Sequence, residues 1–246
     1  MTTEFDLIFA EFASELDALS EMASIPRGTG GGAPSARARI AAGNGATLLL
    51  AATFEEFVRQ QVRAAFREKA KNAKGMSSFP AKIVSAVWRT SLESLARTPF
   101  DEIEADGSKA GAVLAQTQLF CLRKDITADV ADALSKNEYN MRPGEIGRLF
   151  NQIGIVSIVS KISQFEPLIE FVGLDTAGKT TTAIEGRIEE FFRKRNEIAH
   201  AIKLSASSGA SQLASDIEFF RVIGQAMTYA IDQDIKAANA NLELAT

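Results

Sequence analysis

The chain has 246 residues, 46% hydrophobic and 24% charged, with a mean hydropathy of zero and a formal net charge of −4. Its length suits one large domain or one domain with an appendage, and its acidic balance (pI ≈ 5.3) excludes a general basic field for nucleic acid. One cysteine, Cys121, excludes an internal disulfide, and one histidine, His200, excludes a metal site built on several imidazoles.

No apolar run reaches the ~18–20 residues that a membrane-spanning helix needs, and the amino-terminal MTTEFDLIF is acidic. A cytoplasmic protein with no membrane contact is expected. Cys121, in QLFCLRK, reads as a small buried hydrophobe rather than a reactive thiol.

The pattern is helical from the start. Phe5, Ile8, Phe9, Phe12, Leu16, Leu19 and Met22 recur at steps of three and four and predict an amphipathic helix over 3–24. RGTGGGAPSAR (27–37) is a Gly-, Pro- and Ser-rich connector. A first segment, 1–36, is therefore set apart from a helical domain over 37–246. A long helix is predicted over 46–71, carrying Leu48 to Leu50, Phe54, Phe57, Val58, Val62 and Phe66. Pro80 opens another through Val84, Val87, Trp88, Leu92 and Leu95. Shorter helices are expected at 108–123, 127–135 and 143–153.

IGIVSIVSKI (153–162) is β-branched, but a lone strand would have nothing to pair with, so a buried helix is expected. Thr182 and Glu185, then Ser215 and Glu218, have the spacing of capping boxes. They predict helix starts near 183 and 215, with the polar loop KLSASSGAS between the two helices. With no sustained alternation of period two, the fold class is all-α.

Residues 173–180, GLDTAGKT, match the phosphate-loop pattern G-x-x-x-x-G-K-[ST], and the stretch resembles the phosphate loop of Arf-like GTPases. A working loop of that kind needs a buried parallel strand before it and further strand–helix units after it. Only 66 residues follow Thr180, and they read as two helices without a guanine signature. A nucleoside triphosphatase is thus the remote alternative. The favoured reading is a turn between helices, with Gly173 closing one, Gly178 in the turn and Lys179 in solvent.

The next helix is more informative. Ile184, Ile188, Phe191, Ile198 and Ile202 step by 4, 3, 7 and 4, and Arg195 occupies the position the seven-residue gap leaves open. At ~100° per residue Arg195 falls within the apolar stripe. Arginine cannot discard its charge, and burying it unpaired costs several kcal/mol. His200 lies five residues on, roughly 140° round the helix, where Asn196, four residues before it, can hold its ring.

FFRKRNEIAHAI resembles the R-x4-H signature of the HEPN superfamily (higher eukaryotes and prokaryotes nucleotide-binding domains). Arg195, Asn196 and His200 match that motif position by position. LLLAATFEEFVRQQV (48–62) is similar to the first long helix of the RiboL-PSP and MAE-type branches, with Phe54, Glu55, Phe57 and Val58 on its recurrent step. NMRPGEIGRLFNQIGI (140–155) looks like the middle segment. The likeness covers about 45–240 and leaves the amino-terminal helix outside.

The resemblance implies an HEPN-like helical bundle and a metal-independent endoribonuclease with no cofactor. It acts as a homodimer in which two R-x4-H helices build one composite site. In this chain Arg195 would bind the scissile phosphate of RNA, His200 would handle the proton, and Asn196 would position the histidine. Arg193 and Lys194 would meet flanking phosphates, and Glu55 is an accessory candidate. Family members serve as toxins or antiviral-defence effectors beside an antitoxin or sensor protein. Others are non-catalytic dimerisation or ligand-sensing modules, which is the alternative function.

Overall fold

The computed structural model describes residues 2–23, 35–105, 107–137, 139–200 and 209–244. Among them are the helices α1 (Glu4–Ala23), α2 (Ala36–Asn72), α3 (Ile83–Leu95), α4 (Phe100–Glu104), α5 (Lys109–Arg123), α6 (Ala131–Ser135), α7 (Pro143–Gln152), α8 (Ile158–Ile162), α9 (Glu166–Val172), α10 (Ala177–His200) and α11 (Ala210–Leu244), and no strand. The all-α expectation holds. Most of the connector at 27–37 and most of KLSASSGAS lie outside the described residues.

The chain divides into two compact units. One comprises 1–58, 139–144 and 159–230; the other comprises 59–138, 145–158 and 231–246.

The first unit is organised by phenylalanines. Phe54 of α2 is fully buried, and its ring lies 4.5 Å from Phe220 of α11, 6.5 Å from Phe192 of α10 and 6.4 Å from Phe12 of α1. Phe12 stacks on Phe57 at 4.3 Å. These are the offset and tilted ring distances that aromatic quadrupoles favour. Helix α1 meets α11 at Gly224, where a Cβ would stand 2.8 Å from Phe12 Cε1, so only glycine allows that approach. Arg221 closes the same seam by donating to Asp17 Oδ1 at 2.6 Å and to the Ala13 carbonyl at 3.4 Å.

In the second unit Phe66 packs on Phe79 and Phe120. Three arginines one turn apart on α2 hold the segment around α6. Arg59 reaches Asn137, Arg63 reaches Asp132 and Ser135, and Arg67 reaches Asp129, all within 2.8–3.1 Å. Cys121 is buried there, and burial pushes its thiol pKa up.

Several boundaries differ from expectation, each for a local reason. Residues 153–162 are buried as expected at Ile153, Ile155, Ile158 and Ile162, but only α8 is helical. Gly154, at φ 83°, ends α7: its N–H bonds to the Asn151 carbonyl and Ile155 N–H to that of Phe150.

Helix α10 starts at Ala177 rather than 183. Thr180, Thr181 and Thr182 are inside it, each hydroxyl donating to the carbonyl four residues back. Helix α11 starts at Ala210 rather than 215. Ser215 serves Arg187 instead of a cap, accepting at both its carbonyl (2.8 Å) and its Oγ (2.7 Å).

Phe54→Ala removes a ring that touches three helices besides its own. It should lower stability by about 3–5 kcal/mol in urea unfolding followed by circular dichroism. The Cys121 thiol should stay silent to an aromatic disulfide reagent in the native protein and react at once in denaturant.

Candidate functional site

Helix α10 begins inside the segment that mimics a phosphate loop. Gly173, at φ 70°, closes α9 by donating to the carbonyls of Glu170 and Ile169, as expected of a glycine in that role. The following residues turn directly into α10. Thr176 Oγ1 accepts from Lys179 N–H, and its carbonyl accepts from Thr180 N–H. Gly178 therefore lies in the first helical turn, not in the loop. Lys179 is exposed and pairs with Asp175 at 2.9 Å. With α9 where the strand would be, the amides of 173–178 do not form a phosphate cradle.

The buried face of α10 carries Ile184, Ile188, Phe191, Phe192 and Ile198. Phe192 meets Phe54, and Arg195 follows it one turn on, on the same side of the helix. Arg195 is half-buried. Its Nη1 donates to Asn196 Oδ1 at 3.2 Å, while its Nε is buried with no hydrogen-bond partner among the described residues. Glu55, next to Phe54 on α2, is also half-buried, and its Oε1 is likewise buried without a partner. An unpaired buried donor of permanent charge is costly to keep.

Asn196 Oδ1 accepts a second bond, from Asn140 Nδ2 at 2.8 Å. Arg142, two residues along, pairs with Glu189 of α10 at 3.1 Å. Sequence reasoning missed both residues. They lie in a stretch without periodicity, more than forty residues from their partners, and the one available signal was two polar side chains ahead of Pro143.

His200 is exposed at the end of α10, and no hydrogen bond joins it to Asn196 among the described residues. Its axial distance from Arg195 is about 7.5 Å, five residues at 1.5 Å each.

The basic cluster is weaker than its sequence suggests. Arg193 is clasped by Glu190, at 2.6 and 2.9 Å, and by Glu197. The hydrogen bonds Arg193 donates to Glu190 and the charges of Glu190 and Glu197 raise the guanidinium pKa, and the same bonds hold the Glu190 carboxyl below its usual range. Lys194 is half-exposed, and its charge acts on Asp216 of α11. Burial raises the Asp216 carboxyl pKa; the bond from Gln212 and the charges of Arg187 and Lys194 work against that rise. Arg187 itself lies over the Phe219 ring at 4.3 Å and is spent on Ser215 and Asp216.

Of the residues singled out, the structure joins Arg195 directly to Asn196 and adds Asn140. A family model described as RiboL-PSP-HEPN matches residues 11–233. The chain belongs to the RiboL-PSP-HEPN family. The match begins within α1, so the likeness to RiboL-PSP-HEPN extends further towards the amino terminus than the expected 45–240. No curated protein and no solved structure gives a significant match.

Because Lys179 meets only an exposed neighbour, Lys179→Ala in this RiboL-PSP-HEPN chain should change stability by no more than about 0.5 kcal/mol. Neither it nor the wild type should hydrolyse ATP or GTP with Mg²⁺. Hydrolysis abolished by that substitution would restore a working phosphate loop.

Proposed function

We propose that this RiboL-PSP-HEPN chain is a metal-independent endoribonuclease that cuts RNA by attack of the neighbouring 2′-hydroxyl. The observation that carries this reading is the state of Arg195, whose guanidinium is held at one edge by Asn196 while its buried Nε–H has no acceptor among the described residues. A phosphate oxygen is a fitting acceptor for such a fork. His200, exposed on the same helix, supplies an imidazole that can take up and give back a proton.

In the proposed reaction His200 takes the 2′-hydroxyl proton and the 2′ oxygen bonds to phosphorus. The bond from phosphorus to the 5′ oxygen breaks, and that oxygen leaves with a proton from the second imidazole of a homodimer or from water. Arg195 neutralises the charge that builds on the phosphorane oxygens. Asn196 holds the Arg195 guanidinium, and two α10 helices meeting in the homodimer would form one composite site. Lys194 is the freer contact for a flanking phosphate, and Arg193 would have to leave Glu190 or Glu197 to join it. Glu55, whose Oε1 has no partner among the described residues, remains an accessory candidate.

Work as a cytoplasmic toxin or antiviral-defence effector, restrained by an antitoxin or sensor partner, completes the proposal. No described helix is long and apolar enough to cross a membrane.

Two observations favour the second reading, a non-catalytic dimerisation or ligand-sensing module: the neutralised Arg193 and the net charge of −4 leave little to grip RNA without help.

The wild type should cut mixed single-stranded RNA in EDTA, leaving 2′,3′-cyclic phosphate ends, and should spare DNA. His200→Ala and Arg195→Ala should each lower the rate ~10²–10⁴-fold while staying folded. Intact RNA with folded wild type, with and without Mg²⁺, would transfer the conclusion to the second reading.

A further inference from the structure

We infer that Asn140 is a positioning residue for Arg195, acting through Asn196. The polarity of the chain of contacts is fixed by the arginine. A guanidinium only donates, so the Asn196 atom that Arg195 Nη1 meets at 3.2 Å is the carbonyl oxygen. The Asn140 atom 2.8 Å from that same oxygen must then be its amide nitrogen. Both lone pairs of Asn196 Oδ1 are thereby used. Asn196 has no acceptor left for His200 or for a substrate hydroxyl, and its one remaining capacity is to donate. Its work is on the arginine side of the site.

Asn140 holds the Asn196 amide with its oxygen towards the guanidinium, so the edge of Arg195 bearing the unpaired Nε stays committed in direction. Arg142, paired with Glu189 two turns back on α10 from Asn196, ties the same short segment to the helix a second time. The segment 140–142 thus reaches α10 at two points on one face.

This inference rests on the ribonuclease reading only for its activity readout, and it is testable without one. Asn140→Asp is nearly isosteric but presents acceptors alone. It should turn the Asn196 amide round to donate to the new carboxylate, stripping Arg195 of its oxygen. Side-chain ¹⁵N–¹H spectra read this directly. The Arg195 Nε–H signal is identified by its loss in Arg195→Lys, and the Asn196 NH₂ pair by its loss in Asn196→Asp.

In Asn140→Asp and Asn140→Ala both signals should move, and the Arg195 Nε–H should exchange faster with water. In Asn196→Asp the Arg195 signal should stay close to wild type, because a carboxylate accepts both bonds. Unmoved signals in folded Asn140→Asp overturn the inference, whatever the enzyme does.

If the wild type cuts RNA, Asn140→Asp should lower kcat by about 10–100-fold, the worth of one hydrogen bond to a charged group, with KM changed less than threefold. Displaced signals with unaltered kcat would remove the role in catalysis. Wild type that leaves RNA intact would sink the ribonuclease reading alone, and the spectra would still decide whether Asn140 orients Arg195.

Discussion

The burial of one ring, Phe54, sets the geometry on which the candidate site depends. It touches Phe12, Phe192 and Phe220, one from each of α1, α10 and α11, and so fixes which side of α10 faces inward. Once Phe192 is on that side, helical geometry places residue 195 there too, one turn on. An arginine in that position cannot be absorbed by the aromatic core and cannot reach open water with all of its donors. Asn196 takes one N–H, and the buried Nε–H, without a partner among the described residues, defines what the site lacks. The apolar core and the polar site are two faces of one packing decision.

The helices were legible in the sequence because an apolar stripe of period near 3.6 survives any detail of tertiary packing. Their starts were less so. Thr182 and Ser215 have the chemistry of caps, but hydroxyls also bond back to carbonyls within a helix or serve a distant arginine, and both did so here. Local signals of this kind name what a residue can do and leave open which of its options the fold takes. The same holds for GLDTAGKT, where every residue of a phosphate loop is present and the strand that would give it meaning is not.

For the site, Arg195 was visible because a charge interrupted an apolar pattern. The pairing of Arg193 could have been read too, since Glu190 and Glu197 stand three residues before it and four after, the spacings at which helical side chains meet. Assigning Arg193 and Lys194 to flanking phosphates overlooked the acids on either side of them, Glu190 and Glu197. Asn140 was out of reach. Its contact with Asn196 spans 56 positions and leaves no periodic trace in either segment.

Helix α1 deserves a different status from the one its place before a glycine-rich connector suggests. Its Phe12 sits against Gly224 with no room for a Cβ, and stacks on Phe57. A chain begun at residue 37 would therefore lay bare aromatic surface on α2 and the strip of α11 around Gly224 that water wets poorly. Such a fragment would meet its own kind through that surface before it met any substrate, and its self-association could be mistaken for the assembly of the native protein.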